Sequence, residues 1–170
     1  ISFLGAGSYN HYIPSTVRSI LQRGEFVTAY TPYQPEAAQG TLQVGFEFQT
    51  VICQLTGMEV ANAGMYDGPT AFAEGRLMAA RVTKRTKIGV LACADSRLPD
   101  TLLAYSKYQG IEIVSIDPQA TEIPDDLACI GIQSPNFFGE IEDVERLTEL
   151  AHANGALSVV HVNPIALGLF

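Results

Sequence analysis

Basic residues are scarce in this sequence: ten lysines and arginines stand against eighteen aspartates and glutamates, a net charge of −8 and a pI near 4.7. Tight nucleic-acid binding is thereby disfavoured, because neutralising phosphates takes clustered Lys and Arg. No window holds the roughly 18 uninterrupted apolar residues of a membrane-spanning helix, and no basic-then-apolar leader opens the chain. Cysteine is scarce too. Cys53, Cys93 and Cys129 are odd in number, widely spaced and set in apolar runs, so they read as reduced core thiols of a cytosolic protein rather than disulfides or zinc ligands. There is no internal repeat, charge block or low-complexity tract. The chain begins at Ile1 and breaks off at Phe170 after an apolar run, which reads as a piece of a longer protein.

What is present is enough for a core. A chain of 170 residues, 47% of them hydrophobic, hides roughly two-thirds of its unfolded surface, and residues 1–170 read as one domain. Val17, Ile20 and Leu21 give helical spacing between Pro14 and Gln22. Val44, Phe48, Val51, Ile52 and Leu55 predict a helix from about Glu36 to Thr56, with Gly57 as a left-handed cap. A third helix, Ala71 to Lys84, is announced by Asp67-Gly68-Pro69. Helices from Pro99 to Gln109 and Glu140 to Asn154, closed by Gly110 and Gly155, alternate with β-branched runs at 87–93, 112–117, 127–133 and 156–162. Continuous apolar strands separated by helices predict a three-layer α/β fold, a mainly parallel sheet with helices on both faces.

Candidate chemistry is thinner. Ser8, Ser134, His11 and His161 lack a GxSxG elbow, and His11, His152 and His161 fit no metal-ligand spacing. His152 reads as a surface residue near a helix C-terminus, where a cation is favoured. Gly5 and Gly7 after Ile1–Leu4 offer a partial dinucleotide loop, but the third glycine of GxGxxG would fall on Asn10 and the helix starts only after Pro14. Thr28 to Glu36, with two prolines and two tyrosines, is either a stiff loop presenting phenolic hydroxyls or a rigid linker. Met65 to Ala71 sets Gly68 and Thr70 at a helix start, an ordinary cap or a place for an anion, and Asp67 argues against the anion by repulsion.

Four stretches together resemble one family: FLGAGSYNHYIPS (3–15), RGEFVTAYTPYQPEAAQGTLQ (23–43), FEFQTVICQLTGMEVANAGMYDGPTA (46–71) and VNPIALGL (162–169). The family is subunit 1 of glycine dehydrogenase (decarboxylating), the N-terminal half of the glycine cleavage P-protein. The resemblance implies the large domain of a fold-type-I pyridoxal-phosphate enzyme, with the small C-terminal domain absent from this stretch. It also implies a cytoplasmic oxidoreductase complex that decarboxylates glycine and passes the aminomethyl group to the lipoyl arm of H-protein. Such chemistry needs a Schiff-base lysine, an anion cradle at a helix start and a carboxylate near the pyridine nitrogen. None of Lys84, Lys87 and Lys107 stands where that lysine belongs, and Asn163 stands where active paralogues place the carboxylate. Asp67, Gly68, Thr70 and Asn163 are therefore expected to be vestigial pocket positions. Pyridoxal 5'-phosphate is expected on a second, lysine-bearing subunit, with this chain inactive alone. The resemblance suggests that Tyr30, Thr31 and Tyr33, with Asn10 and His11, reach the partner's cofactor or the substrate. Alternatives are a structural or regulatory subunit of the same fold and, from Gly5 and Gly7 alone, a dinucleotide-binding enzyme.

Overall fold

The computed structural model describes residues 5–27 and 30–169; the expected strand start Ile1–Leu4, Thr28 and Ala29 of the proline-rich loop, and Phe170 lie outside them. The helices are α1 (Ser15–Leu21), α2 (Gln39–Thr56), α3 (Gly68–Thr83), α4 (Arg97–Ser106) and α5 (Val144–Ala153). The strands are β1 (Lys87–Leu91), β2 (Glu112–Ile116), β3 (Leu127–Ser134) and β4 (Leu157–Val162). The chain divides into two compact units. One takes in the described residues of Ile1–Ser8 and Met65–Phe170, the other those of Tyr9–Gly64.

In the first unit the four strands form one parallel sheet in the order β2-β1-β3-β4. All eight residues of β3, LACIGIQS, are buried, as a central parallel strand covered on both faces requires. On one face Ala73, Leu77 and Ala80 of α3 and Leu102 of α4 pack with Ile88, Val90 and Cys129. On the other, Leu147 and Ala151 of α5 pack with Leu91, Leu127, Ile130 and Ile132. Each fully buried aliphatic side chain contributes roughly 1.5–3 kcal/mol. The three-layer architecture is the one expected.

Local chemistry set several boundaries differently from the periodicity. Helix α3 starts at Gly68, not Ala71, because Asp67 makes a full capping box with Thr70. Helix α5 starts at Val144, not Glu140, because buried Asn136 gathers the preceding residues into a turn. Its Oδ1 accepts from the amides of Phe138 (2.9 Å) and Glu140 (3.1 Å), and its amide donates to the carboxylates of Glu140 and Glu142. Gly57 ends α2 in the left-handed region, φ 70°, as its position predicts.

In the second unit α2 carries the expected apolar stripe, yet none of its residues is buried, and Val44, Phe48, Val51 and Leu55 are exposed. Gln49 of α2 is held by a bond from its side-chain amide to the Ala61 carbonyl at 2.5 Å.

Candidate functional site

From β1 the chain passes outward to β2 and then returns to β3 on the other side of β1, so the topological switch point lies between the C-terminal ends of β1 and β3. Ligands of doubly wound sheets bind in that crevice. Here backbone crosses it. The Phe137 amide donates to the Cys93 carbonyl (3.0 Å), and the Ala6 amide donates to the Phe137 carbonyl (2.9 Å). Gly5, Ala6 and Gly7 all have positive φ, and a Cβ on Gly5 would lie 3.3 Å from the Phe137 carbonyl oxygen. The glycine-bearing opening is thus a strap over the sheet edge, with α1 beginning only at Ser15, and it does not make a dinucleotide loop.

Beneath the strap the polar groups are tied to one another. The Asp95 amide donates to Gln133 Oε1 at 2.7 Å, and the Asp95 carboxylate accepts from the Arg97 amide (2.9 Å) and Nε (3.0 Å), with Nη2 closing the pair. Arg97 holds the Asp95 carboxyl below the usual carboxylate range. The Cys93 thiol donates to Glu142 (2.9 Å). Burial first, and then Glu142, push that thiol up to about 12, so it is no nucleophile.

At the neighbouring strand end, α3 begins against β4. Asp67 Oδ1 accepts from both the amide and the hydroxyl of Thr70, each at 2.8 Å. A Cβ on Gly68 would lie 2.8 Å from His161 Cε1, so only glycine lets the imidazole come this close. The His161 ring packs on Phe72, centroids 5.4 Å apart, and the Arg76 guanidinium lies 3.9 Å from the centroid of Phe72. Burial, then the positive charge of Arg76, hold the His161 imidazole below its ordinary pKa. Two residues on, Asn163 Oδ1 accepts from the Ile165 amide (3.1 Å) and starts a 3-10 turn.

The expected residues therefore fall into two sets. Asp67, Gly68 and Thr70 come together at the start of α3, with Asn163 just past the end of β4. Asn10, His11, Tyr30, Thr31 and Tyr33 belong to the other unit and are exposed. There the Tyr33 amide donates to the Thr31 carbonyl at 2.9 Å, and His11 Nδ1 lies 3.2 Å from the Tyr9 carbonyl. His152 is exposed in the last turn of α5, as expected, and the three cysteines are free, Cys53 half-buried rather than in the core. Sequence reasoning passed over Arg76, Asp95 and Gln133. Arg76 carried a signal: with Ala73, Leu77 and Ala80 it is the one charge on the apolar face of α3.

The residues at the start of α3 and the end of β4 do not suit a pyridoxal phosphate. The first-turn donors of α3 that would hold a phosphate face the chain's own Asp67 carboxylate. Lys84 caps the C-terminal end of α3, Lys87 opens β1 in ion pairs with Asp126 (2.7 Å) and Glu112 (3.8 Å), and Lys107 caps the C-terminal end of α4. Helices α3 and α4 connect antiparallel to the strands, so all three amines lie at the strand-start edge, away from the site.

These features define a doubly wound α/β domain whose strand-end crevice is crossed by its own backbone. The sequence profile of the glycine cleavage system P-protein matches residues 1–170. A probable glycine dehydrogenase (decarboxylating) subunit 1 from Geobacillus kaustophilus is 49% identical over 99% of this chain, and one from Desulforamulus reducens is 52% identical over 99%. The chain spans 40% of the length of each of these relatives. A crystal structure of glycine decarboxylase (P-protein) of the glycine cleavage system, in inhibitor-bound form, superposes with a TM-score of 0.88 at 42% identity, over 98% of this chain and 39% of that one. The structure of MppP soaked with 2-ketoarginine, 14% identical with a TM-score of 0.59 over 96% of this chain and 51% of that one, shares the fold alone. The chain belongs to the glycine cleavage system P-protein family.

Proposed function

We propose that this chain is part of subunit 1 of a glycine-decarboxylating P-protein and completes an active site whose pyridoxal phosphate is carried by a second, lysine-bearing subunit. The assembled enzyme decarboxylates glycine and hands the aminomethyl group to the lipoyl arm of H-protein. Family membership and the names of the relatives support the activity. Within residues 1–170, which span 40% of the relatives' length, the supporting observation is that Lys84, Lys87 and Lys107 all lie at the edge of the sheet opposite the helix start and Asn163. A carbonyl cofactor cannot be tethered without an amine in reach. Free Cys53, Cys93 and Cys129 suit a reducing, cytoplasmic setting.

On this reading the exposed Tyr30, Thr31 and Tyr33, stiffened by Pro32 and Pro35, are hydrogen-bonding groups offered to the partner's cofactor or substrate, with Asn10 and His11 as further candidates. The exposed stripe of α2 supports burial against another protein surface. The test mixes the full-length subunit with its partner and follows glycine–bicarbonate exchange. Exchange appears only in the mixture, and activity of subunit 1 alone sinks the proposal. A structural subunit is the second reading, favoured by the α2 stripe. If Tyr30→Phe with Tyr33→Phe leaves exchange unchanged, that reading stands; a drop of roughly tenfold or more, about 1.4 kcal/mol in the barrier, supports direct contact.

A further inference from the structure

We propose that Arg76 is a positioning residue that fixes the setting of His161, through the ring of Phe72, beside the start of α3. The side chain of Arg76 is fully buried and turns back toward the helix start, its Nε donating to the Phe72 carbonyl and its Nη2 to the Leu98 carbonyl, both at 3.0 Å. Two carbonyls, not a carboxylate, hold this cation, and its Nη1 has no hydrogen-bond partner. An uncompensated buried charge acts strongly on its neighbours because little solvent screens it. Gly131 makes the arrangement possible, since a Cβ there would lie 3.0 Å from Arg76 Cδ and 3.1 Å from Phe72 Cζ. The guanidinium, the Phe72 ring and the imidazole thus form one stack ending at Gly68.

The charged or titratable groups on the elements around the ring are Glu74, Arg76 and Arg81 on α3 and Asp67 at its cap, Asp95 and Arg97 after β1, and the Cys129 thiol on β3, with neutral Gln133 paired to His161 across the sheet. Arg76 and burial oppose protonation of His161, and Asp95 favours it. An uncharged ring keeps one acceptor nitrogen beside its donor, whereas imidazolium has donors only. His161 therefore presents an acceptor at neutral pH at the point where β4 meets α3. The inference does not depend on the partner subunit.

The experiment is an NMR titration of ¹³C-labelled histidine in the full-length subunit. Arg76→Met moves the His161 midpoint upward, Arg76→Lys leaves it near the native value, and Asp95→Asn moves it down. A midpoint unmoved in Arg76→Met overturns the proposal, whatever Asp95→Asn does. Should Arg76→Met fail to fold, Arg76→Gln decides instead: an upward shift supports the proposal, and no shift ends it.

Discussion

A methyl group on Gly131 would come within 3.0 Å of Cδ of Arg76, and the same position is 3.1 Å from Phe72 Cζ and 3.3 Å from the Gly89 carbonyl oxygen. Backbone on one side and a buried stack on the other leave no direction for relief. Gly131→Ala should therefore destabilise the subunit by about 1–3 kcal/mol, the usual result of overfilling a packed core. Denaturant unfolding measures it, and a midpoint equal to the native one refutes the packing described.

The Asp67 cap gives a pH dependence. Its amide and hydroxyl partners on Thr70 hold the Asp67 carboxyl below its usual value of 3.8. A group with a depressed folded pKa adds stability that is present above 3.8 and lost as pH falls through the folded value. Asp67→Ala should lower the melting temperature at pH 7, and the gap to the native protein should shrink with acidification below pH 4. Melting curves at pH 7 and pH 3 check the sign.

Thiol reactivity should separate the cysteines. Burial pushes Cys129 up to about 12 against an ordinary 9.0, and Cys93 stands at about 12 as well. Only the thiolate alkylates readily. Iodoacetamide at pH 8 should mark half-buried Cys53 first and the other two only after unfolding, as peptide mass spectrometry would read. The same raised values mean that stability is full below about pH 9 and falls as pH climbs toward 12.

Arg85 joins the start of β3 to the end of α5, its Nη1 donating to the carbonyls of Leu127 (2.7 Å) and Asn154 (3.0 Å). Hydrogen bonds from a charged donor are worth roughly 1.5–3 kcal/mol. Arg85→Met should cost about that much in urea unfolding.

Asn163→Asp keeps an acceptor for the Ile165 amide, so the fold should tolerate it. On the proposed division of labour it should still not confer pyridoxal phosphate absorbance on the full-length subunit alone, and a new visible band in the absence of the partner would refute that division. Visible spectroscopy with added cofactor tests this.

The sequence alone determined the alternation of elements, the parallel sheet and the stops or caps at Asp67, Gly57 and Gly155, because hydrophobic period and backbone conformational preference are local properties. Helix α4, expected to run to Gln109 and close at Gly110, ends instead at Ser106 with Lys107 as its cap. The sequence also carried the family likeness. Only the tertiary structure decided that the glycine opening crosses the β1–β3 crevice, that Asn136 delays α5 to Val144, and that Arg76, Phe72 and His161 stack. Those relationships join residues as far apart as 6 and 137, or 76 and 161. Their energies come from burial and desolvation, which depend on what surrounds a side chain, and no local run of sequence contains that.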